Sequence, residues 1–184
     1  MAYEVELKFH IDQPDQILAE LRRRRTTEQG SVEHVDRYFN HPSRDYRTTD
    51  EAFRIRSIGV ANFLTYKGAV LGSIAKTRRE IEVPFAEGIQ ATEQLIEMVH
   101  LLGFRFVREV RKTRMPLTLD WNGHTFEIAL DEVPGLGCFL EIELVVDDEQ
   151  RETAEAAVWE LARSLPLSTV EPRSYLDMLL VRDG

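Results

Sequence analysis

The sequence predicts an α+β fold, a closed antiparallel β-barrel of eight strands with helices packed outside and a charged interior. Three observations lead there. About eight segments alternate apolar and polar residues with the two-residue period of a strand, and most are joined by hairpin-length turns. Almost every such segment has one apolar and one charged face. Three or four amphipathic helical segments carry apolar stripes that need a surface to cover. The strands' apolar faces supply that surface, which turns their charged faces inward. An open antiparallel sheet with one wet face accommodates the same alternation, and there the charges would be ordinary surface groups.

Glu4 to His10 alternates strictly, with Val5, Leu7 and Phe9 on one face and Glu4, Glu6, Lys8 and His10 on the other. Successive charges stand roughly 7 Å apart on a strand rising about 3.3 Å per residue. Two carboxylates at that spacing suit a hard divalent cation, although a charged face in water explains this strand taken alone. Asp12 as a cap and Pro14 in the first turn start a helix with the stripe Ile17, Leu18 and Leu21. Its basic end, Arg22 to Arg25, suits the dipole's negative pole and reads as a solvated helix end rather than a nucleic-acid patch.

Val32 to Phe39 is expected to be the second strand, with His34, Asp36 and Tyr38 sharing a face. Asn40 to Asp50 is a polar loop, either a lid or a surface excursion. Ala52 to Ile58 carries Arg54 and Arg56 in phase, and Asn62 to Lys67 leads into a turn, Gly68 to Ser73. Lys76 to Val83 sets Arg78, Glu80 and Glu82 opposite Ile81 and Val83, and Pro84 stops it. Thr92 to Leu102 is a helix closed by Gly103. Phe106 to Met115, with Lys112 and Arg114 in phase, and Leu117 to Trp121 follow as two strands. The hairpin signal Asn122-Gly123 leads into Thr125 to Asp131. Phe139 to Val146 carries Glu141 and Glu143 in phase, Asp147 to Leu165 is a third helix, and Ser174 caps a short terminal one. Gly135 and Gly137 precede a strand, so they are not a dinucleotide fingerprint.

The chain of 184 residues is read as a single domain, 1–184. A formal net charge of −9 argues against a nucleic-acid partner. With one cysteine, Cys138, neither an internal disulfide nor a thiolate metal site is available. No signal pattern and no apolar run of membrane-spanning length is present, so a cytoplasmic address and no membrane partner are expected.

Inside a closed barrel a charge is desolvated and must be paired or hold a ligand. The candidate lumen holds the acids Glu4, Glu6, Glu80, Glu82, Asp131, Glu141 and Glu143. Its bases are Lys8, Arg54, Arg56, Lys67, Arg78, Lys112 and Arg114. Acids alone would suit calcium and bases alone a polyanion. Together they fit a metal-bound polyphosphate, with carboxylates on Mg²⁺ or Mn²⁺ and Arg and Lys on the remaining phosphate oxygens.

Glu4-Val5-Glu6-Leu7-Lys8 resembles the ExExK signature of the CYTH superfamily, the triphosphate tunnel metalloenzymes. Arg54-Ile55-Arg56 resembles that family's RxR strand, and Lys67 its next basic position. Arg78 with Glu80-Ile81-Glu82 resembles its RxExE-like strand, Lys112 and Arg114 its later basic pair, and Asp131 with Glu141-Ile142-Glu143 its C-terminal acids. His34 to Asn40, Asp45-Tyr46 and Ala52 to Arg56 look most like the class IV adenylate cyclase branch, which often has Gln where His34 stands.

The resemblance implies an eight-stranded triphosphate tunnel and a small-molecule triphosphate substrate, ATP or inorganic triphosphate. It implies a metal set of Glu4, Glu6, Asp131, Glu141 and Glu143 for Mg²⁺ or Mn²⁺, with Glu4, Glu6, Lys8 and Asp131 at the catalytic centre. Lys8, Arg54, Arg56, Lys67, Arg78, Lys112 and Arg114 would grip the triphosphate. A cyclase would turn ATP into cyclic AMP and pyrophosphate, a triphosphatase would hydrolyse inorganic or thiamine triphosphate, and a receptor would bind polyphosphate without turnover. The cyclase branch also suggests a homodimer. Glu80 and Glu82 either bind metal or, the favoured reading, pair with lumen arginines such as Arg78; Asp36 and Tyr38 contact ligand or hold structure, and His10, His41, His100 and His124 have no assigned role.

Overall fold

The structure is a computed structural model and describes residues 2–71 and 75–184. In chain order the elements are β1 (Ala2–Ile11), α1 (Pro14–Arg23), β2 (Thr27–Glu28), β3 (Val32–Asn40), α2 (Tyr46–Thr49), β4 (Ala52–Ile58), β5 (Ala61–Lys67) and β6 (Lys76–Phe85). There follow α3 (Ile89–Leu101), β7 (Arg105–Trp121), β8 (His124–Val133), β9 (Gly137–Asp147), a 3₁₀ turn (Asp148–Gln150), α4 (Arg151–Arg163) and α5 (Tyr175–Asp183). The far end of the expected turn after β5, Gly72 and Ser73, lies outside the described residues.

Eight strands close into a ring in the order β1, β6, β5, β4, β3, β7, β8, β9 and back to β1, every neighbour antiparallel. The closed alternative is therefore the one this chain adopts. β2 stands outside the ring and adds a two-residue pairing to β7, Thr27 to Thr118 and Glu28 to Leu117.

One departure from the sequence expectation explains the closure. The two strands expected on either side of Pro116 are a single strand, β7, 17 residues long. Its first part pairs with β3 as far as Val32 opposite Arg114, and its second part pairs with β8 from Thr113 to Trp121. Pro116 survives because the Pro116 carbonyl accepts from the Gln29 amide at 2.9 Å, on the flank that β3 has already left. Backbone N and C=O of one strand residue face the same side, so the missing N–H costs no bond in the β8 ladder. Pro84 likewise does not end β6 at Val83. β6 runs to Phe85, and beyond Arg79 it has β5 on one flank and no β1 partner, an edge setting where proline is tolerated.

The helices cover the outside, as the alternation required. Val5, Leu7 and Phe9 of β1, Leu117 and Leu119 of β7, Phe126 and Ile128 of β8, and Leu140 and Ile142 of β9 bury against Ile17 and Leu21 of α1 and Val158 and Leu161 of α4. On the opposite side Val99 of α3 packs on Phe39 and Ile55. Burying each such side chain contributes roughly 1.5–3 kcal/mol, so these two seams fix which strand face points out. Ile81 and Val83 are the exceptions. They point outward from β6 where no described helix lies, and remain 41% and 51% exposed.

The loop from Asn40 to Asp50 is folded rather than open. The Asn40 side-chain oxygen accepts from the Tyr46 amide at 2.9 Å, and the Asp45 carboxylate caps α2 by accepting from the Arg47 amide at 3.1 Å. The last helix, α5, packs across one end of the barrel. Tyr175, Met178 and Leu179 bury against Tyr38, Val110, Val133 and Phe139, which follow the inward phase of their strands. Ser174 starts α5 with a reciprocal capping box to Asp177.

Candidate functional site

Every charged lumen residue expected from strand phase points inward and borders one cavity of about 360 Å³, except Asp131, which sits in the wall behind Lys112 and Arg114. The reason is local. In β1, β4 and β9 the outward neighbours are mostly apolar and held by a helix seam, so the two-residue period aims Glu4, Glu6 and Lys8, Arg54 and Arg56, or Glu141 and Glu143 into the barrel.

Most of these charges arrive already paired. Asp36 accepts from Arg56 Nε at 2.7 Å and from a second Arg56 nitrogen at 2.8 Å, and Arg54 lies at 3.4 Å. Burial pushes the Asp36 carboxyl up, but Arg54 and Arg56 outweigh it and hold Asp36 well below the usual carboxylate range. Lys67 bridges Glu4 at 2.7 Å and Glu80 at 2.6 Å. Burial, partly offset by Lys67, raises the Glu4 carboxyl, whereas Glu80, hydrogen-bonded to Glu4 and close to Lys67 and Arg54, falls to about 2 despite burial. Asp131 accepts from Lys112 at 2.8 Å, from Arg114 at 2.7 and 2.6 Å, and from the Tyr175 hydroxyl at 2.9 Å. Arg114 also bonds Glu141. Glu82 accepts from Thr65 at 2.9 Å and lies 4.0 Å from Arg56, and Arg54 reaches the Tyr38 hydroxyl at 3.3 Å. Glu80, Asp36 and Tyr38 therefore serve the arginines and Lys67 in this state.

A smaller set is left over. Glu6 and Glu143 are opposite each other in the β1–β9 register and form no ion pair among the described residues. With Glu4 they place carboxylate oxygens within 4.8 Å of one another. Burial, with Glu4 and Glu141 adding repulsion, holds the Glu143 carboxyl well above its ordinary value. Three carboxylates crowded in this way, two buried and one half-buried, need positive charge, and their oxygen donors fit a hard divalent cation. Lys8, Lys76 and Arg78 form no ion pair among the described residues either. Lys8 lies 4.5 Å above the Tyr175 ring, and the buried Arg78 Nε has no hydrogen-bond partner.

Of the metal set expected from sequence, Glu4, Glu6 and Glu143 come together, while Asp131 and Glu141 are engaged by Lys112, Arg114 and Tyr175. Among the lumen residues not singled out from sequence are Tyr3, Lys76, Glu127, Val145 and Tyr175, with Glu127 opposite Glu143 in the β8–β9 register. Lys76 lies two positions before Arg78 and in its phase, so strand periodicity alone was enough to find it. Tyr175 is on a helix after the last strand, and only the Ser174 cap hinted at its placement. Of the histidines without an assigned role, His10 lies edge-on to Phe139, His100 and His124 against Phe39 and Phe126, and His41 against Tyr46 and Phe104.

The CYTH domain matches residues 2–175. A protein of Methanocaldococcus jannaschii, named provisionally as an adenylate cyclase, is 34% identical over 178 residues, covering 95% of this chain and 97% of that one. A solved structure from Pyrococcus horikoshii OT3 superposes with a TM-score of 0.84 at 38% identity, covering 97% of this chain and 99% of that one. A Hippeastrum protein described as having a dominant triphosphatase activity shares the fold, with a TM-score of 0.62 at 17% identity, covering 100% of this chain and 96% of that one. Among the described residues no helix is long and apolar enough to cross a membrane.

Proposed function

We propose, from the premise that this chain belongs to the CYTH domain family, that it is a divalent-cation-dependent enzyme acting on a small triphosphate, and that its reaction is the conversion of ATP to cyclic AMP and pyrophosphate. One observation carries the ligand class. Within a single closed lumen three clustered carboxylates, Glu4, Glu6 and Glu143, face three cations with no ion-pair partner among the described residues, Lys8, Lys76 and Arg78. A cation alone would leave the bases unsatisfied, and an anion alone would leave the acids so. A metal–triphosphate satisfies both.

Glu4, Glu6 and Glu143 would hold Mg²⁺ or Mn²⁺, with Glu141 on the same wall once Arg114 turns toward a phosphate. The bound cation supplies Lewis-acid neutralisation of phosphate oxygens. Lys8 and Arg78 grip the chain, and Arg54, Arg56, Lys67, Lys112 and Arg114, already held in place by their carboxylates, stabilise charge developing on the leaving pyrophosphate. The ribose 3′ hydroxyl attacks the α-phosphorus, its oxygen forms the new P–O bond while its proton passes to water, and the bond to the bridging oxygen breaks, that oxygen leaving with pyrophosphate. The 34% identical relative named for adenylate cyclase supports this reaction.

A second reading is hydrolysis of inorganic triphosphate. It is favoured by the cavity lining, where charged groups dominate, the Tyr38 hydroxyl is already engaged by Arg54 and the Tyr175 ring by Lys8. Incubation of the protein with Mg²⁺ or Mn²⁺ and either ATP or inorganic triphosphate separates the two. Cyclic AMP with pyrophosphate is the expected product. Orthophosphate from inorganic triphosphate would replace the first reading by the second, and tight binding without turnover would make the lumen a receptor.

A further inference from the structure

Lys76 opens β6 and faces Glu6 across the β1–β6 register. That pair is the last rung between the two strands. Further along β1 the same flank is taken by the segment before α5, where Val170 bridges Phe9 and the Glu171 amide donates to the Lys8 carbonyl at 2.7 Å. Between the end of one ladder and the start of the other lies a second cavity of about 340 Å³. It meets the lumen cavity at three side chains that line both, Glu6, Lys8 and Lys76.

The two lysines at this junction differ from the other two in the lumen. Lys67 is held by carboxylates at 2.7 and 2.6 Å and Lys112 by one at 2.8 Å. Lys8 and Lys76 form no ion pair among the described residues, and the neighbouring undescribed residues, Gly72, Ser73 and Ile74, carry no charge. Two like charges side by side, largely withdrawn from water, are a cost to the empty fold that an anion set between them removes.

We propose that Lys76 is a phosphate-binding residue, and that with Lys8 it forms a subsite for one phosphoryl group where the lumen meets the second cavity. The inference rests on the triphosphate reading and adds to it a position for one end of the chain. The basic pair is confined to the junction: beyond it the charged groups lining the second cavity are Arg173, which is paired with Glu171, and the acids Asp50 and Asp177.

The test is calorimetric titration of inorganic triphosphate, with Mg²⁺ at fixed ionic strength, into the wild type and three variants. Lys76→Met should weaken binding about tenfold or more, the scale of one charged hydrogen bond, and Lys76→Arg should restore most of it. Arg79→Met removes the same charge from the exposed face of the same strand and should leave binding within about twofold of wild type, because exposed charges are largely screened. Without ligand, the melting midpoint of Lys76→Met should equal or exceed that of the wild type, since no ion pair is lost and a like-charge contact is relieved. Unchanged triphosphate affinity in Lys76→Met would overturn the subsite while leaving the triphosphate reading intact. Equal weakening in Lys76→Met and Arg79→Met would reduce the effect to net charge and overturn it as well. A wild type that does not bind triphosphate would overturn the reading and the subsite together.

Discussion

The Tyr175 hydroxyl donates to Asp131 at 2.9 Å, and that one bond fastens the last helix to a carboxylate which Lys112 and Arg114 also hold. The Tyr175 ring meanwhile lies 4.5 Å below the Lys8 ammonium and 5.1 Å from that of Lys112. α5 is thus tied into the charged lumen as well as to the apolar residues around it.

Tyr175→Phe keeps the ring and removes the donor. Asp131 retains its bonds from Lys112 and Arg114, so the loss should be that of one buried hydrogen bond to a charged group, about 1.5–3 kcal/mol. Urea denaturation checks this. No change in the midpoint would mean that the hydroxyl contributes nothing to holding α5.

Asp36→Asn should be more severe. It leaves Arg54 and Arg56 buried with their shared carboxylate gone, and breaking a buried ion pair costs about 3–5 kcal/mol. Because the lumen becomes one charge more positive, added inorganic triphosphate should raise the melting midpoint of the variant by more than it raises that of the wild type. Melting curves with and without triphosphate measure both effects.

Glu6→Ala should lower metal-dependent turnover at least about a hundredfold, a barrier increase of roughly 2.7 kcal/mol, while the fold persists. Glu6 forms no ion pair among the described residues and sits against Glu4 and Glu143, so ligand-free stability should not fall. Steady-state rates across a Mg²⁺ or Mn²⁺ titration, beside a melting curve, give the answer. Turnover equal to wild type would remove Glu6 from the metal site.

Acid should weaken the fold through His34. Its side chain is buried opposite Lys112 and Ile58 in the register, with Asp36 two residues along its own strand, and its Nδ1 has no hydrogen-bond partner. Burial, together with Arg56, Lys112 and Arg114, lowers its pKa from 6.5 to about 3, against the pull of Asp36. The unfolded chain therefore takes up a proton near pH 6.5 that the folded chain refuses until about pH 3, and stability falls as pH drops through that window. His34→Gln cannot take up that proton, so its denaturation midpoint should vary less between pH 6.5 and 4. Parallel pH slopes for the two proteins would exclude His34 as the cause.

Periodicity made most of the lumen legible. A two-residue repeat with apolar partners on the far face is enough to aim Glu4, Glu6, Arg54, Arg56, Glu141 and Glu143 inward, because the helix seams reject any other phase. What the repeat does not contain is register between distant strands. That Asp131 belongs to Lys112 and Arg114, Asp36 to Arg54 and Arg56, and Glu143 to Glu4 and Glu6 follows from which residues stand opposite across a ladder. Pro116 misled for a related reason. A proline breaks a strand only when its N–H is wanted, and whether β3 still lies alongside depends on where β3 ends. Ile81 and Val83 read as a buried face, but strand phase says nothing about whether a helix arrives to cover it.

β1 takes β6 as one neighbour and β9 as the other, so the barrel's first strand must wait on the ribosome for β9. Until residue 147 has emerged the nascent chain can build only a curved sheet, open along one side and with its acids and bases bathed in water. Ring closure is a contact between segments more than a hundred residues apart in the chain, the kind that forms late and slowly. Neither a metal nor a phosphate chain can template the early steps of folding, because the chamber that would enclose them comes into being only once β9 has been made.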